Sequence, residues 1–159
     1  MPLSVTLQRL GYRVAYRLLQ VAWWLTRPRA RGVKCVLTDR EQVLLVRHTY
    51  GSRAWDLPGG RLKRGEAPLS GVRREMQEEL GMGGAEWRPL GELRGRVNLR
   101  HDTIYIYRAE VADPPLTLDP GELQTAAWFS HDALPGELGP YVLPIVSVAP
   151  PDMSAPAAS

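Results

Sequence analysis

The segment between Pro68 and Gly81 restricts the fold of this chain more than any other. Proline is favoured in the first turn of a helix and glycine directly after its last turn, so a helix is predicted over residues 67–80. Three glutamates at positions i, i+3 and i+4 share one face of that helix: Glu75, Glu78 and Glu79. Like charges at these spacings destabilise an isolated helix by roughly 0.2–0.5 kcal/mol per pair. A purely structural helix gains nothing from this arrangement.

These three glutamates, called the glutamate cluster below, suit a hard divalent cation, because Mg²⁺ and Mn²⁺ prefer oxygen ligands. Mg²⁺ in proteins is usually shared with substrate phosphates. The predicted chemistry is therefore metal-assisted attack of water on phosphorus. The alternative is a solvated acidic helix face without a ligand.

The residues around the predicted helix support a ligand site. Residues 57–60 read Leu-Pro-Gly-Gly, which places flexible backbone just before the helix, where it can approach a ligand closely. Glu66 stands where the positive end of the helix dipole is expected, and it could pair with Arg74 or with nearby amides. Arg74 is next to Glu75 and can hold a carboxylate by a charged hydrogen bond.

The other elements predicted from the sequence are mostly strands. Residues 39–41 form a plausible turn between the first two strands, which gives a hairpin. Residues 49–66 and 113–121 have the composition of loops. Strands are predicted over residues 32–38, 42–48, 86–97, 102–111 and 126–129. Strands with helices interspersed predict a mixed α/β sheet.

Composition limits the class of protein. The 159 residues are 44% hydrophobic and 23% charged, as in an ordinary soluble domain, so a disordered or fibrous chain is excluded. The single cysteine, Cys35, excludes an internal disulfide and a cysteine-based zinc site, and it is expected to be a small buried hydrophobe. A reducing compartment explains this cysteine content most simply, so the expected location is the cytoplasm, with peripheral membrane contact left open.

The net charge of +3 is unevenly distributed. Residues 1–34 hold seven basic residues and no acid, whereas the remaining 125 residues hold 13 basic and 17 acidic residues, a net charge of −4. The body is therefore not a basic nucleic-acid-binding domain, and no DNA partner is expected. It also offers no clear basic track for RNA.

Residues 5–26 are predicted to form a basic amphipathic helix. Arg17 interrupts its centre, which argues against a membrane span, and no signal-peptide cleavage pattern follows. The helix could pack on the body or on a second copy in a homodimer, lie on an anionic membrane, or act as a targeting segment. The predicted domain division is residues 1–30 for this helix, 31–148 for the body and 149–159 for a disordered tail.

The segment from Gly60 to Met82 resembles the signature of the Nudix (MutT-like) hydrolase family, G-x5-E-x7-R-E-U-x-E-E-x-G-U, where U is a bulky apolar residue. All fixed positions are filled, by Gly60, Glu66, Arg74, Glu75, Met76, Glu78, Glu79, Gly81 and Met82. The seven exact matches arise by chance on the order of 10⁻⁸ per start position. The resemblance extends over roughly residues 32–146, with Trp55 before the signature and Trp128 after it as typical flanks.

The resemblance implies a Nudix α/β/α sandwich and hydrolysis of a nucleoside diphosphate linked to another moiety, with Mg²⁺ or Mn²⁺. By position, Glu78 and Glu79 are the expected metal ligands, and Glu75 is a third ligand or a proton acceptor. The carbonyl of Gly59 or Gly60 could add a ligand. Many relatives add a carboxylate from a later loop, for which Glu122 is the candidate by its order along the chain. The alternative function is a non-catalytic nucleotide-binding or regulatory module on the same fold.

The substrate is not predicted further, because the subfamily markers for ADP-ribose, dinucleoside polyphosphates, NADH and coenzyme A are absent or degenerate. The candidate phosphate-binding residues are Arg47, Arg53 and Arg61, with His48 close to them in the sequence. Trp55 and Tyr50 could stack on a base, although core packing is favoured for Trp55. His101 and His131 are expected to be surface or turn residues.

Overall fold

The computed structural model describes residues 30–49, 51–97, 100–112 and 114–149. The predicted helix over residues 5–26, Tyr50 and residues 150–159 of the predicted tail lie outside the described residues. The described elements, in chain order, are β1 Ala30–Asp39, β2 Gln42–His48, α1 Pro68–Leu80, β3 Arg88–Val97, β4 Arg100–Glu110, β5 Leu123–Ser130 and α2 Val142–Val148. Neither helix in these ranges is both long and apolar enough to cross a membrane.

The strands form one mixed five-stranded sheet in the order β3-β4-β1-β2-β5. Strands β1 and β4 are parallel, and the other neighbouring pairs are antiparallel. The predicted hairpin is confirmed: Asp39 pairs with Gln42, and Arg40 takes a positive φ of 53° in the turn between them. The sheet is therefore mixed, as the sequence predicts.

The two helices lie on opposite faces of the sheet, because successive residues of a strand point to opposite sides. Val33, Cys35 and Leu37 of β1 pack in a buried cluster with α1. Val36 of the same strand packs in a second buried cluster with α2. This is the α/β/α sandwich that the resemblance implies.

Helix α1 begins and ends where the sequence predicts. Pro68 occupies its first turn, and Gly81 follows its last turn with a positive φ of 72°. An apolar row one side chain wide is fully buried against the sheet: Val72, Met76 and Leu80. Glu75 and Glu79 each precede a member of this row by one residue, so they lie at its margin, where the helix meets the rest of the body.

The structure differs from the prediction at three places. Strand β5 covers Leu123–Ser130 rather than residues 126–129, because it pairs with β2 along its length, from Gln42 opposite Ser130 to His48 opposite Leu123. Residues of the predicted loop over 49–66 take part in three isolated bridges, Val46 to Asp56, Gly32 to Arg61 and Trp55 to Leu138. Ala149, assigned to the tail, is buried at the end of α2.

Candidate active site

Two of the three clustered glutamates are buried beneath the Leu-Pro-Gly-Gly segment. Glu79 is 2% exposed, and its Oε2 accepts a hydrogen bond of 3.0 Å from the N–H of Gly59. Glu75 is 7% exposed, and its carboxylate lies directly where a Cβ on Gly60 would stand. Gly59 has a φ of 137°, and a Cβ there would collide with the carbonyl of Val33. Both glycines are therefore needed for the loop to lie this close to the carboxylates.

This loop is fastened to β1 by three hydrogen bonds. The N–H of Val33 donates to the carbonyl of Gly60 at 2.9 Å, and the N–H of Cys35 donates to the carbonyl of Pro58 at 2.9 Å. The Nζ of Lys34 donates to the carbonyl of Leu57, also at 2.9 Å. These bonds to the central strand thus fix the position of the loop relative to Glu75 and Glu79.

Arg74 joins three carboxylates. Its guanidinium binds Glu66 through two parallel hydrogen bonds of 2.8 Å, and the N–H of Lys63 also donates to Glu66 at 2.8 Å, so Glu66 has both kinds of partner that the sequence leaves open. Its Nη1 also donates to Glu75 at 2.7 Å and to Glu78 at 3.1 Å. The hydrogen bonds from Arg74 are the largest cause that lowers the pKa of Glu66 to about 2, and the hydrogen bond to Glu66 is the largest cause that raises the pKa of Arg74.

Burial dominates the electrostatics of the two inner glutamates. It is the main cause that raises the pKa of Glu79 to about 8, against the opposing hydrogen bond from Gly59. It is also the main cause that raises the pKa of Glu75, although Arg74 opposes the rise. The negative charge of Glu122 adds to the rise in both pKa values.

Glu122 therefore lies within electrostatic reach of Glu75 and Glu79, which the sequence could predict only from its order along the chain. It immediately precedes β5, and its carbonyl accepts a hydrogen bond of 2.9 Å from the N–H of Thr49. Glu78 is different from the inner pair, because its side chain is half exposed. The structure places Glu75 and Glu79 against the Gly59–Gly60 backbone, with Glu122 within electrostatic reach of both carboxylates and Glu78 at the rim.

These groups suit a divalent cation by their chemistry. In the part of the chain that the structure describes, no three His, Cys, Asp or Glu side chains converge as a metal-binding group. Two of the glutamates, Glu75 and Glu78, are instead hydrogen-bonded to Arg74. Burial is the main cause that raises the pKa values of Glu75 and Glu79, and neighbouring carboxylates add to the rise, a condition that a hard cation relieves. The carbonyl of Gly60 accepts one hydrogen bond and keeps a second lone pair.

The sequence profile of the family described as NUDIX domain matches residues 28–146. The chain belongs to this family. The prediction from the signature residues is thereby confirmed.

Among curated relatives of this NUDIX domain, the ADP-ribose pyrophosphatase of Mycobacterium tuberculosis is 33% identical over 92 residues, covering 55% of this chain and 44% of the relative. The RNA pyrophosphohydrolase of Saccharophagus degradans is 29% identical over 120 residues, covering 63% of this chain and 71% of the relative. This chain therefore spans less than half the length of the mycobacterial enzyme.

A similar solved structure is the MutT NUDIX hydrolase of Burkholderia pseudomallei, with a TM-score of 0.66 and 22% identity over 77% of this chain and 98% of that one. The NUDIX domain of NrtR from Shewanella oneidensis, solved with ADP ribose, also has a TM-score of 0.66, with 18% identity over 77% of this chain and 86% of that one. These likenesses establish the NUDIX fold.

The three candidate phosphate-binding arginines of this NUDIX domain have different surroundings. The guanidinium of Arg47 stacks 4.6 Å from the ring centroid of Trp55 and lies 4.0 Å from Glu137. Arg53 and Arg61 are exposed, and the carbonyl of Arg61 accepts a hydrogen bond from Arg74. The contacts of Arg47 therefore orient it towards Trp55, whereas Arg53 and Arg61 are accessible from solvent.

Of the aromatic and histidine candidates, Trp55 packs against the core, and the histidines lie in strands or in a turn. Trp55 packs edge-to-face on Phe129 with centroids 4.8 Å apart, next to the cluster on the α2 face, which agrees with the favoured core role. His48 ends β2, where burial lowers its pKa, and His131 lies in the turn after β5. His101 lies in β4.

A partly buried ion pair next to the site is not predicted from the sequence. The Nζ of Lys34 lies 2.7 Å from Oδ2 of Asp56, and the two side chains are 12% and 22% exposed. The positive charge of Lys34 lowers the pKa of Glu79 against the larger effect of burial. The signal available in the sequence was a lysine between Val33 and Cys35, inside an otherwise apolar strand.

Proposed function

We propose that this NUDIX domain is a divalent-cation-dependent hydrolase that cleaves a diphosphate linkage in a nucleoside diphosphate joined to another moiety. The observation that carries the proposal is the burial of Glu75 and Glu79 side by side beneath Gly59 and Gly60. Burial makes the ionised form of both carboxyl groups costly, as their raised pKa values indicate, and a bound cation would offset that cost.

The proposed ligands are the glutamate cluster, the carbonyl of Gly60 and the carboxylate of Glu122, and Mg²⁺ or Mn²⁺ is the proposed ion. When bound, such an ion neutralises phosphate oxygens and lowers the pKa of a bound water. The proposed oxygen donors come from the helix, from the preceding loop and from the loop before β5.

Arg74 orients the carboxylates in this proposal. It binds Oε1 of Glu75, and its two bonds to Glu66 fix the guanidinium plane. Oε2 of Glu75 is then the oxygen that we assign either to the cation or to the proton of the attacking water.

The substrate class rests on the relatives. One acts, by its name, on ADP-ribose and the other on RNA, and both names describe cleavage of a pyrophosphate bond. The net charge of −4 over residues 35–159 favours a small nucleotide over a long RNA. Arg53 and Arg61 are the proposed phosphate contacts, because they are exposed, and Arg47 is a third candidate through its place over Trp55.

The test compares wild type with Glu79→Gln against ADP-ribose, a dinucleoside polyphosphate and 5′-triphosphorylated RNA, each with Mg²⁺ and with Mn²⁺. Released phosphate and nucleotide products are measured. We expect wild type to cleave at least one substrate and Glu79→Gln to lose more than about 100-fold in turnover, because a charged donor is removed without a change of shape. Glu86→Gln is the matched control, since Glu86 is exposed and its carboxylate lies 3.6 Å from the guanidinium of Arg88.

Full activity in Glu79→Gln, with unchanged circular dichroism, would refute the assignment of this site. Binding of ADP-ribose by wild type without any product across the panel would instead identify the alternative, a nucleotide-binding module without catalysis.

A further inference from the structure

The loop that carries Glu122 is attached to the end of α1. The last carbonyls of a helix have no partner within it. Here the N–H of Thr117 donates to the carbonyl of Leu80 at 3.0 Å, and the N–H of Asp119 donates to the carbonyl of Glu79 at 3.2 Å. The loop is thus hydrogen-bonded to the backbone of one of the inner glutamates.

Asp119 then shapes the turn that leads to Glu122. Its Oδ1 accepts a hydrogen bond of 2.7 Å from the N–H of Gly121. Its carbonyl accepts hydrogen bonds from the N–H of Glu122 at 3.2 Å and from the N–H of Leu123 at 2.8 Å. Three successive amides are therefore fixed by a single residue.

Thr49 holds the same turn from the other side. It follows β2, and its Oγ1 donates to the carbonyl of Gly121 at 2.8 Å. Its N–H donates to the carbonyl of Glu122 at 2.9 Å. The peptide groups on both sides of the Glu122 Cα are thus bonded to Asp119 or to Thr49, although Thr49 and Gly121 are 72 residues apart.

We propose that Asp119 and Thr49 are positioning residues that hold Glu122 beside Glu75 and Glu79, so that one divalent cation is shared by carboxylates from α1 and from the loop before β5. This inference rests on the proposed function. It adds two residues outside the signature whose role is to fix the distance between the two parts of the ligand set. Neither residue contacts the cation in this arrangement.

The experiment measures Mn²⁺ affinity of the full chain directly, by the electron paramagnetic resonance signal of free Mn²⁺, without substrate. We expect Thr49→Val and Asp119→Ala each to weaken Mn²⁺ binding about tenfold, as is typical when a residue that orients a metal ligand is removed. We expect Glu122→Gln to weaken it by at least as much. The melting temperature of every variant is recorded without metal.

Two conservative variants test whether the side-chain hydrogen bonds of Thr49 and Asp119 are what Mn²⁺ binding requires. Thr49→Ser keeps the hydroxyl, and Asp119→Asn keeps an oxygen at the Oδ1 position while it removes the charge. We expect both to bind Mn²⁺ within about threefold of wild type. Loss of binding in Asp119→Asn comparable to that in Asp119→Ala would show that the charge of Asp119 matters and would overturn the positioning role.

A double variant tests whether Asp119 acts through Glu122. We expect Asp119→Ala combined with Glu122→Gln to bind Mn²⁺ no more weakly than Glu122→Gln alone, because two residues that act through one ligand are not additive. Additive losses, or a lower melting temperature with unchanged Mn²⁺ affinity, would leave Asp119 only a structural residue and overturn the proposal.

Glu79→Gln distinguishes failure of this inference from failure of the proposed function. If Glu79→Gln loses Mn²⁺ binding while Asp119→Ala and Thr49→Val keep it, only the positioning role is wrong. If Glu79→Gln also binds Mn²⁺ as wild type does, the proposed site itself is wrong and the inference falls with it.

Discussion

The two faces of the sheet are covered by helices that bury different chemistry. Helix α2 presents only apolar side chains to its face, and Val142 and Ile145 are fully buried there. Helix α1 buries an equally apolar row, but it also buries the carboxylates of Glu75 and Glu79 at the margin of that row. Apolar burial stabilises both faces, whereas the buried acids cost stability unless they are paired. The α1 face therefore holds both an apolar core and the carboxylates of the candidate site, whereas the α2 face holds an apolar core alone.

The largest expected effect comes from Arg74→Met, which removes the cation joined to Glu66, Glu75 and Glu78. We expect hydrolysis to fall by more than about 100-fold, since the carboxylates lose their orientation. The free energy of unfolding is expected to fall by about 3 kcal/mol, because buried Glu75 is left without its partner. Steady-state kinetics and urea unfolding measure the two losses.

Arg73→Met is the control for that variant, because Arg73 is the exposed neighbour on the same helix. It should change activity less than about threefold and stability by less than about 0.5 kcal/mol. Wild-type kcat/KM in Arg74→Met would contradict the orienting role of Arg74.

Ile145→Ala on the α2 face is expected to lower stability and to leave metal binding and catalysis unchanged. Ile145 is fully buried, so its truncation should lower the free energy of unfolding by about 3 kcal/mol through lost burial and a cavity. Below the unfolding transition, Mn²⁺ affinity and kcat/KM should stay within about twofold of wild type. A large loss of kcat/KM in the folded protein would show that the two faces are coupled.

The elements that are set by neighbouring residues could be predicted from the sequence. Pro68 and Gly81 predict the two ends of α1, and the spacing of Glu75 to Glu79 predicts their common face. The hairpin of β1 and β2 follows from a short polar turn between two apolar runs. Each of these depends on residues within about one turn or one strand of each other.

The features that could not be predicted depend on contacts between residues that are distant in the sequence. The ion pair of Lys34 with Asp56, the extent of β5 along β2 and the fastening of Glu122 by Thr49 are each set by the packing of separate segments. The burial that raises the pKa of Glu79 arises only when α1 meets β1 and the loop above it. Periodicity along one segment carries no information on these contacts.

The smallest expected effect is a decrease of stability with rising pH in EDTA, which the buried acids of the α1 face should produce. Folding raises the pKa of Glu79 from an ordinary value near 4.5 to about 8. Between these values the folded chain holds a proton that the unfolded chain has released, so stability must decrease as pH rises through this window. Glu75 contributes in the same direction, whereas His48, whose pKa is lowered, contributes in the opposite direction near pH 6.5.

Comparison with Glu79→Gln isolates the contribution of this one carboxyl from those of Glu75 and His48. Urea unfolding in EDTA should show wild type losing at least about 1 kcal/mol relative to Glu79→Gln between pH 5 and pH 8. Added Mn²⁺ should reverse the loss in wild type at pH 8, because a ligand that binds only the folded state stabilises it. Ile145→Ala should lose stability with pH in parallel with wild type, since its face carries no buried acid among the residues of its core cluster. Parallel pH profiles for wild type and Glu79→Gln would mean that Glu79 is ionised in the folded chain without any cation, and the difference between the two faces would then be one of shape alone.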